Sequence, residues 1–72
     1  MYIVIELQKT GDQLGNLVTA HQNLAEAEAK YHAVLAAAAT SSVEAHSAIL
    51  VNAYGIPLKN ECYRHDLTDN AE

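Results

Sequence analysis

The sequence predicts an α+β fold in which a single helix packs on one face of a small sheet of three or four strands. Two observations predict it. The apolar residues repeat with a period of two, then of about 3.6, and then of two again. The 72 residues also allow only one small domain, because a chain this short buries about 60% of its unfolded surface. The expected order is β-β-α-β-β, with residues 1–65 as the domain.

The segment from Tyr2 to Gln8 has the alternation and the β-branched residues of a strand. Turn pairs containing Gly follow at positions 11–12 and 15–16, and Leu17 to His21 has the length and composition of a short second strand. The sequence therefore predicts a hairpin, and the sheet has four strands only if this second segment is one of them. The aliphatic residues on one face of the first strand are Ile3, Ile5 and Leu7.

The helix is predicted from Leu24 to Thr40, within three residues at each end. Asn23 and Glu26 have the spacing of a capping box, with Asn in place of the usual Ser or Thr. The hydroxyl run Thr40-Ser41-Ser42 competes for backbone hydrogen bonds and is expected to end the helix. The stripe expected to lie on the sheet consists of Leu24, Ala27, Tyr31, Val34, Leu35 and Ala38.

Two further strands are predicted after the helix, from Val43 to Asn52 and from Ile56 to His65. Residues 52–55 form the turn between them, with Gly at its end, and Pro57 is tolerated near a strand start or at a sheet edge. Residues 66–72 are short, acidic and polar, so we expect a disordered tail there.

One helix leaves the far face of the sheet bare. If Ile3, Ile5 and Leu7 face the helix, the bare face is a mixture of Tyr, His, carboxylates and aliphatics. Such a mixture is more typical of an interface or a ligand site than of a solvated face. That face would carry Tyr2, Val4, Glu6, Gln8, Glu44, His46, Leu50, Glu61, Tyr63 and His65.

The composition predicts a homo-oligomer. Half of the residues are hydrophobic, but 13 are Ala, only 17 are Ile, Leu or Val, and there is no Phe or Trp. A core this thin, without disulfides or a structural metal, usually finds its missing burial at a subunit interface. Two interfaces are available to it: the bare sheet face and an alanine strip on the helix, which consists of Ala25, Ala29, Ala33, Ala36 and Ala37.

Charge and hydropathy exclude several classes of partner. The formal net charge is −5, and the four Lys and Arg residues are scattered, whereas nucleic-acid binding needs them clustered. No apolar run is long enough to cross a bilayer, and the first residues have no basic flank that would begin a signal peptide. A single cysteine, Cys62, fits a reducing compartment. We therefore expect a cytoplasmic protein without nucleic-acid or membrane partners.

No pattern for catalysis, a cofactor or a metal is present. Cys62 and His65 have a two-residue gap, but positions three apart on a strand point to opposite faces. No Gly-x-Ser-x-Gly elbow accompanies the serines, and the three glycines are too far apart to cradle a phosphate. The chain is therefore predicted to be non-enzymatic, with no cofactor and no metal.

Almost the whole chain up to His65 resembles small uncharacterised proteins encoded by phages and prophages of gut bacteria. The resemblance rests on three segments and three single residues: the strand Tyr2 to Gln8, the run 26–32 with Leu35 and the alanines after it, the segment 61–65, and Ser42, His46 and Gly55. It implies a setting in the host cytoplasm where very small proteins block host defences, by binding a defence protein or by sequestering its nucleotide signal. The dodecins, which store flavin, are set aside because this chain lacks their flavin-stacking Trp.

Two functions from different classes follow. In the first, an oligomer sequesters a small anionic, nucleotide-derived signal between subunits, through Arg for phosphate, Tyr for stacking and His for hydrogen bonds. In the second, the exposed sheet face docks on a host or phage protein. The first predicts a pocket lined by cations and Tyr, and the second predicts a flat apolar patch. The candidate ligand-binding residues are Lys30, His32, His46, Tyr63, Arg64 and His65.

Overall fold

The computed structural model describes residues 1–65 and confirms the α+β fold, with four antiparallel strands and one helix. The predicted tail at 66–72 lies outside the described residues. The strands are β1 (Tyr2–Thr10), β2 (Gln13–His21), β3 (Ala45–Asn52) and β4 (Pro57–Arg64), and the helix is α1 (Leu24–Ala39). The sheet order is β2-β1-β3-β4, so β1 separates β2 and β3, which run parallel and are joined by α1. This is a split β-α-β unit with β4 added at one edge.

β1 and β2 form a hairpin with nine paired positions, from Tyr2 opposite His21 to Thr10 opposite Gln13. The two-residue loop begins with Gly11, whose φ of +61° favours glycine at the first central position of a hairpin turn. β2 begins four residues before the predicted start at Leu17. Its first half has little strand character of its own and pairs because β1 lies beside it.

The helix begins and ends where the sequence predicts. Asn23 is extended and its side chain accepts a hydrogen bond from the Glu26 backbone N–H at 2.9 Å. Thr40 is the C-cap, and its backbone N–H and hydroxyl both donate to the Ala37 carbonyl. Among the described residues, no helix is long and apolar enough to cross a membrane.

The second hairpin joins β3 to β4 through the predicted turn at 52–55. The Asn52 side chain accepts hydrogen bonds from the backbone N–H groups of Tyr54 and Ile56, and Gly55 has a φ of +80°. The pairing shifts register between Leu50 and Val51, next to the start of β4 at Pro57. Both strands are slightly shorter than the predicted ranges, Val43 to Asn52 and Ile56 to His65.

The helix covers the face of the sheet opposite to the expected one. Val4, Ala48 and Leu50 are buried beneath α1, whereas Ile3, Ile5 and Leu7 alternate with them and lie on the other face. The assignment that placed Ile3, Ile5 and Leu7 under the helix is therefore wrong. A physical reason is the fit of Tyr31, the largest buried side chain of α1, which packs in a cluster that includes two alanines, Ala27 and Ala48. Of the predicted stripe, Leu24 remains 39% exposed.

Candidate functional site

A small polar cluster lies on the helix side of the sheet. The His46 ring is 4% exposed, and its Nε2 is 2.6 Å from the Glu6 carboxylate Oε2, with Glu6 15% exposed. The same oxygen accepts a hydrogen bond from the Gln8 amide at 3.2 Å. Gln8 and His46 are also cross-strand partners, so β1 and β3 together position the cluster.

Glu6 is ionised in this cluster. Burial by itself raises the pKa of the Glu6 carboxyl, but hydrogen bonds from His46 and Gln8 and the charges of His46 and Lys30 outweigh burial. The pKa therefore lies below its ordinary value of 4.5. Since an ionised carboxylate only accepts hydrogen bonds, Nε2 of His46 carries a proton and donates it to the bond. Nδ1 of His46 is buried and has no hydrogen-bond partner among the described residues.

Three of the six predicted ligand-binding residues lie around the carboxyl end of α1 and the strands beneath it. His46 is buried, and Tyr63 is directly opposite it on β4, on the same face of the sheet. Nε2 of His65 lies 2.9 Å from the Ala38 carbonyl oxygen near the end of α1, and donates to it. The side chains of His46 and His65 are therefore held by hydrogen bonds within the fold, whereas the Tyr63 side chain is exposed.

The other three predicted residues do not join them. Arg64 is paired with Ala45 and lies on the open side of the sheet, away from Tyr63. His32 is exposed on α1, next to the buried Tyr31 in sequence. Lys30 lies on the helix flank near Glu6, whose pKa its charge lowers. Since opposite sides of the sheet separate Arg64 from Tyr63 and His46, the six residues do not line a common pocket within one chain.

The face opposite α1, called here the open face, is apolar at its centre. The central strands β1 and β3 contribute partly exposed aliphatic side chains, and β2 contributes Val18, which is 55% exposed, beside Ala20. Nothing within residues 1–65 packs across this face. Its central aliphatic residues are Ile3, Ile5, Leu7, Val18, Ile49 and Val51.

Polar groups surround this apolar centre. At one end of the strands, the Lys9 Nζ donates to the Glu44 carboxylate at 2.8 Å, and Arg64 lies on the same face at the end of β4. The side chains of Asn60 and Cys62 on β4 also lie on the open face, opposite Ile49 and Ser47 of β3. An apolar centre with a polar rim is the usual anatomy of a protein–protein interface.

The two described depressions are shallow and carry no cation. One, of about 240 Å³, is lined by Glu6, Gln8, Gly15, Asn16 and Leu17. The other, of about 300 Å³, lies against β3 and β4 and is lined by Ser47, Ala48, Ile49, Pro57, Asn60, Glu61 and Cys62. None of the six predicted ligand-binding residues lines either depression. Within residues 1–65, no group of three or more His, Cys, Asp or Glu could hold a metal ion.

The chain matches no family model, no curated protein and no solved structure.

Neither the Glu6–His46 pair nor the true composition of the open face is predicted by the sequence. The two residues are 40 positions apart, so no local spacing joins them. A signal was present, because Glu6 is the one acidic residue of a largely apolar strand, and such a residue is retained beside a partner more often than alone.

Proposed function

We propose that this chain is a non-enzymatic protein-interaction module that binds its partner through the open face. The partner is a second copy of the same chain. The observation that carries the proposal is the row of aliphatic side chains on the central strands, on the side of the sheet opposite α1. Contiguous apolar surface of this kind is typical of interaction sites.

Few large apolar side chains are buried within one chain, and this small core supports an obligate partner. Within residues 1–65 the buried hydrophobic set has seven members, and three of them are alanines. Val4 and Leu50 are the largest fully buried side chains. A domain of this size with so small a core usually gains stability by association, because any partner that binds only the folded state stabilises it.

The area of the open face reaches the lower bound for a specific interface. Four strands about 4.8 Å apart and about eight residues long, at about 3.3 Å per residue, give a flat area of about 500 Å² per copy. Two copies therefore bury about 1,000 Å², which is the least area expected of a specific interface. This estimate treats the face as flat and leaves out the additional area of the projecting side chains. Stacked sheets pack face to face at about 10 Å, with their side chains interdigitating.

The charges on this face are compatible with a second copy. The centre is neutral, so no like charges are buried when two faces meet. Lys9 and Arg64 lie at one end of the strands, where they remain in the solvated rim. The anionic-ligand hypothesis is less well supported, because Arg64 lies on the opposite side of the sheet from Tyr63 and His46. Only a site that combines residues of two subunits could bring these groups together.

The test is sedimentation of the wild type and of Ile5→Lys, a substitution at the centre of the open face. The wild type should sediment as two or more copies of the 7.8 kDa chain. Ile5→Lys should sediment as a monomer, because two lysines would be buried in the interface. Ile5→Val is the matched control and should associate as the wild type does. Circular dichroism of each variant establishes that it is folded.

A second control separates the open face from the alanine strip of α1. Ala36→Lys places the same charge on the exposed side of the helix, and Lys is a good helix former. It should leave the assembly intact. A folded monomeric wild type would contradict the proposal, and so would an assembly that Ala36→Lys disrupts and Ile5→Lys does not. If cyclic nucleotides raise the melting temperature of the wild type and Arg64→Ala abolishes that effect, the anionic-ligand function replaces it.

A further inference from the structure

The outer edge of β2 differs from the outer edge of β4. β2 is an edge strand of nine residues, Gln13–His21, that has no Lys, Arg, Asp, Glu or Pro. Its pairing with β1 runs without a bulge, and three of its large side chains are more than half exposed. These are Leu14 at 65%, Leu17 at 53% and Val18 at 55%.

β4, the other edge strand, carries the features that protect sheet edges from pairing. It starts at Pro57, has a register shift beside it, and contains Lys59, Glu61 and Arg64. Charges, proline and bulges at an edge are the devices that keep a folded protein from adding another strand. β2 has none of these devices, although it is as long as any strand of the sheet.

The hydrogen-bonding groups of β2 alternate between β1 and the outside. Thr10 and Gln13 flank the two-residue turn and form a hydrogen-bonded pair, so alternate residues after Gln13 also bond to β1. Bonds at the two ends of β3 agree with this alternation, since the even-numbered Glu44 and Asn52 bond towards β4. The residues of β2 whose N–H and C=O groups point outward are therefore Leu14, Asn16, Val18 and Ala20.

We infer that β2 pairs with β2 of a second copy in antiparallel orientation, which joins two sheets into one of eight strands. The pairing is centred on Leu17, so that Leu17 lies opposite its own counterpart. Leu14 then pairs with Ala20 and Asn16 with Val18, which places all four outward-facing residues in hydrogen-bonded pairs. A symmetric register centred on any other residue leaves part of this set unpaired. No like charges meet along the pairing, because the strand has no Lys, Arg, Asp or Glu and His21 would lie opposite Gln13.

This edge contact extends the open-face association and rests on it. Nine residues at about 3.3 Å give an edge about 30 Å long and, for a sheet about 10 Å thick, about 300 Å² per copy. That is less than half of the roughly 800 Å² per partner found in stable interfaces. In a face-to-face dimer, the two β2 edges can lie one above the other. When two such dimers meet, pairing of the first two β2 edges holds the other two β2 edges side by side, so the second pairing is intramolecular. The closed product is a tetramer, built from two open-face dimers.

The experiment is sedimentation of Leu17→Lys beside Leu17→Gln, each with circular dichroism as the folding check. The Leu17 side chain points to the helix side of the sheet, so neither variant alters the open face. Leu17→Lys places two lysines directly opposite each other and should reduce the tetramer to the open-face dimer. Leu17→Gln is uncharged and should keep the tetramer, because the contact is made by the main chain. Mixing Leu17→Lys with Leu17→Glu should restore the tetramer, since opposite charges then meet.

The outcomes distinguish the edge from the face. A wild type that stays a dimer at every concentration, or a Leu17→Lys variant that remains a tetramer, overturns the edge pairing and leaves the open-face dimer standing. A wild type that is a folded monomer overturns both. If Leu17→Lys is a folded dimer that the mixture with Leu17→Glu converts to a tetramer, the pairing through β2 is supported.

Discussion

Removal of the Glu6 side chain should destabilise the fold through His46 rather than through lost packing. In Glu6→Leu the Nε2–H of His46 has lost its acceptor, at a position where the ring is 4% exposed. Leaving a buried donor unpaired costs about 1–3 kcal/mol. Because Glu6 keeps 15% exposure, we expect a loss of about 2–3 kcal/mol in the free energy of unfolding.

Two comparison variants isolate the pair. Glu6→Gln keeps an oxygen that accepts from His46 and should lose only about 1 kcal/mol. The double variant Glu6→Leu/His46→Leu removes both polar groups, and replacing a buried pair by apolar residues is often neutral. It should therefore be more stable than the sum of the two single variants predicts, by at least about 1 kcal/mol. The assay is urea denaturation at one protein concentration, because association contributes to the measured stability.

The same pair predicts a pH dependence with a definite sign. The pKa of Glu6 is lowered in the folded state, so its ionised form stabilises the fold above the ordinary value of 4.5. That stabilisation is lost as the pH falls below 4.5 and through the lowered folded-state pKa. Wild type and Glu6→Gln should therefore converge in stability at acid pH. Strictly additive single variants at pH 7 would show that Glu6 and His46 are not coupled. A stability difference between wild type and Glu6→Gln that persists below the folded-state pKa of Glu6 would show that the difference does not come from the ionised carboxylate.

Three further variants or probes test other parts of the structure. Leu50→Ala, at a fully buried position of β3, should lower the free energy of unfolding by about 2–5 kcal/mol in urea titration, and a loss below about 1 kcal/mol would mean that Leu50 is not in the core. Asn23→Ala should remove the helix N-cap and lower stability by about 1 kcal/mol, whereas Asn23→Ser should retain most of it. Cys62 lies on the open face, so its labelling by a thiol reagent should be slower in the associated wild type than in monomeric Ile5→Lys. Equal labelling rates at all concentrations would argue against burial of that face.

The elements that the sequence predicted correctly are those fixed by neighbouring residues. The helix start follows from the hydrogen bond between Asn23 and Glu26, three positions apart. The second turn follows from Asn52 and Gly55, since a side chain that accepts local N–H groups and a residue with positive φ are both local features. The alternation within β3 was also correct, with His46 and Leu50 on one face.

The choice of face and the site geometry depend on contacts between distant parts of the chain. One face of β1 is aliphatic, whereas the other carries the polar Glu6 and Gln8. Hydrophobicity alone therefore favoured placing Ile3, Ile5 and Leu7 under the helix. The cluster that contains Tyr31 and Ala48 joins α1 to β3, two segments that are distant in the sequence. The same holds for the candidate site residues, because the separation of Arg64 from Tyr63 depends on which face the helix covers.

The dimensions of the fold connect its two exposed surfaces. A helix is about 10 Å wide, and a sheet of four strands is about 19 Å wide, so one helix covers about half of one face. Here α1 lies mainly over β3, with fewer contacts to β1 and β4 and the fewest to β2. The uncovered half-face leaves Leu17 of β2 exposed, and the opposite face leaves Ile5 and Ile49 without a covering layer within residues 1–65. Both surfaces are exposed because a single helix covers only part of one face of the sheet. Burial of these surfaces in an assembly would link folding to association, so that dilution lowers the apparent stability.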